Sequence, residues 1–232
     1  MNKSPSNSLP PSTNTPRHPI KILYEDDHYI VFDKPAGLLV IPTSKNEKRT
    51  LVNIVNQQYA AGEGTPKLHP CHRIDEDTSG AIIFAKGKSF QRMMMDLFKR
   101  RYVTKKYIAL VHGRLPSEKG EFRNPVYKQF GRKRVFSSAI TRYRVLSAKR
   151  QFSIVEVQPV TGRTNQIRIH FSQAGHPLLG ERKFAFARDY ALKFRRTALH
   201  AASVEWKHPV YHRTVSVQSD LPKDMSEFIK GT

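Results

Sequence analysis

A carboxylate held on a short, rigid loop can attack carbon or take up a proton, and one stretch of this 232-residue chain offers that arrangement. His72-Arg73-Ile74-Asp75-Glu76-Asp77-Thr78-Ser79-Gly80 sets an arginine and an acid beside a glycine turn. It runs directly into Ala81-Ile82-Ile83-Phe84-Ala85, an apolar strand that gives the loop its base. Asp75 is the candidate catalytic acid. Asp77 reads as an Asx-type turn former that satisfies backbone donors. The spacing Asp75-x-Asp77-x-Ser79-Gly80 also mimics the first half of an EF-hand calcium loop. Position twelve of such a loop needs a bidentate Glu, and here it is Lys86, a cation that repels the metal.

A second candidate segment runs from Thr161 to Gly175. Thr164 is placed to cap a helix and Gly175 to end it, with Ile167, His170, Phe171 and Ala174 as the buried stripe. Arg168 then points elsewhere, on the face of Thr164 and Asn165. His170 lies in the apolar register and reads as a core histidine. His69, Cys71 and His72 match no standard zinc spacing. The chain has no P-loop, no GxSxG elbow and none of the paired-cysteine signature of zinc base deaminases. No metal and no cofactor are expected.

The elements that must position these residues follow from periodicity. Residues 20–24 and 29–32 read as a hairpin, followed by Lys34-Pro35-Ala36-Gly37, which breaks the sheet. Residues 50–59 suit a helix packing Leu51, Ile54 and Val55 inward. Ser89 can cap a helix whose Phe90, Met93, Met94 and Leu97 fall at core spacing. Residues 107–111 form a strand, 141–145 and 152–157 a hairpin. Residues 113–137 lack strong periodicity and read as a long mobile connection, with Lys128, Arg132, Lys133 and Arg134 exposed.

Lys and Arg number 40 against 19 Asp and Glu, a formal charge of +21 spread along most of the chain. Such an excess points to a polyanionic partner, RNA or DNA, since cationic side chains release the counterions condensed on phosphates. No segment has the length or apolarity of a membrane span. Cys71 is the only cysteine, so no intrachain disulfide forms, and a cytoplasmic, reducing compartment is expected. Residues 1–19, rich in Ser, Pro and Asn, read as a disordered tail, and 20–232 as one domain.

Taken together, the Asp75 loop, Lys34-Pro35-Ala36-Gly37, Val40-Ile41-Pro42, Lys105-Lys106-Tyr107, the Thr161 to Gly180 segment and Leu199-His200-Ala201-Ala202 resemble the RluA-type pseudouridine synthases. The resemblance implies an α/β catalytic domain of the α+β type, a mixed, largely antiparallel sheet with flanking helices and an RNA-binding cleft. It implies no S4 RNA-binding domain in the short tail and no required cofactor. It implies that Asp75 is the essential carboxylate, with Arg168 as its partner, lowering its pKa and fixing its orientation. Arg73 would hold the flipped nucleotide or fill its place, and Tyr107 would pack on the uracil and help remove the C5 proton. The substrate would be uridine in rRNA or tRNA and the active species a monomer. Asn165 stands where the family motif has His.

Overall fold

The computed structural model describes residues 19–60, 64–130, 133–185 and 190–231. Residues 1–18 of the expected tail and Arg132 lie outside them. Ile22–Glu25 (β1) and Tyr29–Lys34 (β2) form the expected hairpin, and Asp26 Oδ1 closes its turn by accepting from the backbone N–H of His28 and Tyr29 at 2.8 and 2.7 Å. After helix Leu51–Tyr59 (α1) come strands Leu68–Pro70 (β3) and Ser79–Lys86 (β4), helix Lys88–Lys99 (α2) and the long strand Val103–His112 (β5). Lys119–Phe122 (β6), Val126–Phe130 (β7), Lys133–Ser137 (β8), Thr141–Ala148 (β9) and Phe152–Pro159 (β10) follow. Helix Gln166–Gln173 (α3), strands Leu199–Lys207 (β11) and Thr214–Gln218 (β12) and helix Lys223–Lys230 (α4) complete the order.

Ten strands form one sheet in the order β1-β2-β4-β11-β5-β10-β9-β6, with β12 on β11 and β3 on β4. Every pairing in it is antiparallel except β4 with β11, so the sheet is mixed and largely antiparallel. The runs Tyr29–Phe32 in β2 and Ala81–Ala85 in β4 are apolar without interruption because both faces of these strands are covered. Ile30, Phe32, Ile82 and Phe84 pack with Leu51, Ile54 and Val55 of α1 and with Ile167 and Phe171 of α3. The alternate residues Tyr29, Val31, Ala81 and Ile83 pack with Met94 of α2 and with Trp206.

Several expectations change, among them the buried place given to Ala174, which is the exposed C-cap of α3. In α2 only Met94 is fully buried, while Met93 is 46 % exposed, and the N-cap is Gly87 at φ 106° rather than Ser89. Helix α3 begins at Gln166 with Asn165 as its N-cap, so Thr164 lies outside it. Residues 113–137 are not an irregular connection but carry β6 and the ribbon β7–β8. A two-stranded ribbon exposes most of its side chains, Lys133 to Phe136 among them, so no alternation of apolar residues marks it in the sequence. Helix α4 was not anticipated. It is short and amphipathic, with Met225 as its buried anchor.

Candidate active site

The Asp75 loop is held from two sides by buried cations that bond to its backbone. Lys34, at the end of β2, is fully buried, and its Nζ donates to the carbonyls of Pro35, Leu38 and Glu76 at 2.9, 2.7 and 2.8 Å. The Glu76 carbonyl also accepts from the backbone N–H of Gly37 and Leu38. Burial pushes Lys34 down to about 7, against the pull of the Asp75 and Asp77 charges, while three carbonyl acceptors engage all three ammonium protons. On the other side Arg196 donates Nη1 to the Asp77 carbonyl at 3.0 Å and to those of Thr197 and Leu199. The same guanidinium pairs with Asp224 of α4 at 2.7 and 3.0 Å. Gly80, at φ +108°, lets the loop enter β4 against β11, because a Cβ there would stand 2.3 Å from the Ala201 carbonyl oxygen.

Arg168 Nη1 lies 3.8 Å from Asp75 Oδ2, and both side chains are partly buried. The firmer partner of Arg168 is Glu181, which takes Nε and Nη2 in a bidentate pair at 2.7 and 2.8 Å. Glu181 Oε1 further accepts the backbone N–H of Arg182, Lys183 and Phe184. Asn165 Oδ1 accepts from Arg168 Nη1 at 3.2 Å, and the guanidinium rests 5.2 Å from the Phe184 ring centre. Burial pushes the Asp75 carboxyl above its ordinary value, and Arg168, Arg73 and Lys34 only partly pull it back. The expected lowering by Arg168 is therefore outweighed. Desolvation dominates, and Glu181 both neutralises Arg168 and adds a repelling charge of its own.

Asp75, Arg73, Tyr107 and Arg168 all line one cleft of about 620 Å³, together with Lys105, Phe98 and residues 159–168. Tyr107 lies on β5 between Val157 of β10 and Ala201 of β11. Burial, with the charge of Asp75, pushes its phenol up. Arg73 is exposed at the mouth. His72 packs on Phe98 at 4.7 Å and accepts at Nε2 from the Ile83 N–H. Burial, aided by Lys105, pushes it down to about 3, so it stays neutral. His170 sits in the core, with Nδ1 on the Thr141 hydroxyl and Nε2 on the Asn124 carbonyl, both at 2.8 Å.

Sequence reasoning missed Glu181 and Arg196. The only signal for Glu181 was its place after Gly180, whose φ of +74° and 1.9 Å approach of a Cβ to the Arg196 carbonyl oxygen leave room for no side chain. Nothing local marks Arg196. Among the described residues, one cluster has metal-ligand types: Asp26, His28 and His208. His208 Nδ1 accepts from the N–H of Val210 and Tyr211, which places the ring proton on Nε2, the nitrogen 3.2 Å from Asp26 Oδ2. That nitrogen has no lone pair for a metal, and the pair instead fastens the turn after β11 to the first hairpin.

The family model for RNA pseudouridylate synthase matches residues 28–173. The RNA pseudouridine synthase YhcT of Bacillus subtilis is 32 % identical over 91 % of this chain and 72 % of its own length. The ribosomal large subunit pseudouridine synthase D of Zymomonas mobilis is 32 % identical over 95 % of this chain and 75 % of its own. Human RNA pseudouridylate synthase domain containing 4 superposes with a TM-score of 0.76 at 25 % identity, covering 90 % of this chain and 91 % of that one. A matching family model across the Asp75 loop and α3, relatives along nearly the whole chain and a shared fold lead to one conclusion: the chain belongs to the RluA-type RNA pseudouridine synthase family, enzymes that isomerise uridine in RNA.

Proposed function

We propose that Asp75 carries the isomerisation. The reaction breaks the bond between ribose C1′ and uracil N1, turns the base and rejoins it through C5, so the uridine must leave its stack and enter the cleft. Asp75 either attacks C1′ or removes the C2′ proton. In both cases a carboxylate kept above its ordinary pKa by burial is the stronger nucleophile or base once ionised. Arg168, anchored on Glu181, orients Asp75 and supplies an opposite charge at 3.8 Å. Arg73 holds the flipped nucleotide or fills the space it left. Tyr107 packs against the uracil, with its phenol pushed up by burial and by the Asp75 charge.

The observation that carries this reading is the convergence of Arg73, Asp75, Tyr107 and Arg168 on one cleft. Because a single chain contributes all four, we propose that it acts as a monomer. The name of the Zymomonas relative supports large-subunit rRNA as the substrate, with tRNA as the alternative. The single cysteine supports a cytoplasmic site of action. Among the described residues no helix is long and apolar enough to cross a membrane. The test is Asp75→Asn, assayed by tritium release from C5-labelled uridine in rRNA and tRNA transcripts under single-turnover conditions. RNA binding should persist and conversion should vanish; a folded variant converting uridine near the parent rate would sink the assignment.

A further inference from the structure

Among the described residues, the buried cations around the Asp75 loop have partners, and Lys105 does not. Lys34 bonds three carbonyls, Arg168 pairs with Glu181, and Arg196 pairs with Asp224. Lys105 is partly buried on β5, between β10 and β11, and among the described residues its ammonium makes no hydrogen bond and no ion pair. Its ammonium lies 5.5 Å from the Phe98 ring centre and lines the same cleft as Asp75. Val103 and Tyr107, alternate residues of the strand, line that cleft too, whereas Lys106 between them pairs with Glu156 at 3.6 Å. Gly162 lies beside it, and a Cβ there would make ordinary contact with the ammonium at 3.8 Å. Of the remaining cations of the cleft, Arg168 is paired with Glu181, and Arg73, Lys99, Arg101 and Arg163 are exposed.

We propose that Lys105 is a binding site for one phosphodiester of the substrate RNA, beside the nucleotide taken into the Asp75 cleft. Burial lowers the pKa of this lysine with no counter-charge to oppose it. An ammonium so placed is unfavourable in the free protein, and RNA closing over the cleft would desolvate it further. A phosphodiester supplies the missing charge, and lysine meets phosphate as a compact point charge. Position two residues before Tyr107, about 6.6 Å along a strand, sets the ammonium at a fixed offset from the packed base. The inference rests on the reading that RNA enters this cleft.

The test is Lys105→Met, which keeps the stem and removes the charge, on whichever of the large-subunit rRNA or tRNA transcripts the parent modifies. Binding is measured across a series of KCl concentrations, with a single-turnover rate at saturating RNA and a thermal melt. Affinity should fall about tenfold and the salt slope by about 0.7 to 0.9 units, the value of one phosphate contact. The saturating rate should stay within about threefold of the parent, a small change in barrier. The melting temperature should hold or rise, because an unpaired, partly desolvated charge is gone. Lys105→Arg should restore the slope. An unchanged slope overturns the proposal, as does a loss of saturating rate with affinity intact, which would assign Lys105 to the base. A melting temperature lowered in step with binding would mark a structural lysine and also overturn it. Failure of the Asp75 assignment would show separately, as an Asp75→Asn protein that still converts uridine, while the Lys105 slope reports only the phosphate contact.

Discussion

The Asp75 loop and the β7–β8 ribbon are both rich in charge and handle it in opposite ways. Around Asp75 the charges that hold the loop are inward, and Lys34, Arg196 and Glu181 each make several bonds to backbone. On the ribbon Lys133 and Arg134 are exposed, Phe136 is 62 % exposed, and the contact made by Arg134 is with the Tyr127 ring at 4.8 Å. The ribbon meets the body through Val126 and Ile169 and through Tyr127 against Phe184. Catalysis needs groups held to a fraction of an ångström, and buried charge with full partners supplies that rigidity. Attraction to a polyanion needs only net charge near the surface, and solvated side chains supply that without order.

The comparison breaks most readily at the scaffold of the loop. Gly180→Ala should lower stability by about 3–5 kcal/mol, from a Cβ forced onto the Arg196 carbonyl and a strained positive φ, read as a fall in urea midpoint at unchanged slope. An alanine tolerated there would mean the segment carrying Glu181 is not held as tightly as its contacts imply. Glu181→Gln should cost about 3 kcal/mol, because it leaves Arg168 without its bidentate partner. The same variant should move the acid limb of the single-turnover rate to lower pH, because the Glu181 charge is one of the forces that raise Asp75. Glu181→Asp should retain part of both effects.

Asn165 probes the junction of the two behaviours. Its φ of 54° is left-handed, a region that Asn and His both tolerate, so Asn165→His should change stability by less than about 1 kcal/mol and leave activity standing. Asn165→Val should cost about 1–2 kcal/mol of stability from the same backbone angle. Neutralising Lys133 and Arg134 of the ribbon, together with Arg132, should leave the unfolding midpoint within about 0.5 kcal/mol of the parent and flatten the salt dependence of RNA binding. A steep, unchanged salt slope would remove the ribbon from the RNA-facing surface.

The smallest effect concerns Asp75 itself. A carboxyl raised above its unfolded value stays protonated in the fold while the unfolded chain ionises, so stability is lost as pH rises from about 3.9 through the raised value and is level thereafter. Asp75→Asn has no such loss. Since Arg168 keeps Glu181, the variant should melt at or slightly above the parent temperature at pH 7, and the gap should close below about pH 4. A clear drop in melting temperature would mean that Asp75, and not Glu181, is the main counter-charge of Arg168.

Much of this was legible in the sequence because the signals are local. Hairpin β1–β2, helix α1, strand β4 and hairpin β9–β10 stand where alternation and helical spacing put them. The ribbon was missed because its residues face solvent on most sides, and the start of α3 because a left-handed asparagine, not the threonine before it, forms the N-cap. In α2 the apolar spacing was right and the burial was not: Met93 follows the periodic pattern, yet the helix meets the sheet chiefly through Met94.

The sequence by itself determined the order of motifs, the basic excess and the loop on which Asp75 stands, because each depends on neighbouring residues or on composition. Only the tertiary structure decided the electrostatics of the site. Arg168 and Asp75 are 93 positions apart in the chain, and their separation of 3.8 Å says little until Glu181 is seen occupying the rest of the guanidinium. Likewise Lys34 and Arg196, far apart in the chain, bond to the adjacent carbonyls of Glu76 and Asp77, and nothing in either neighbourhood foretells it. Desolvation and long-range charge are sums over the packed molecule, so the direction in which Asp75 shifts is a property of the fold and not of its motif.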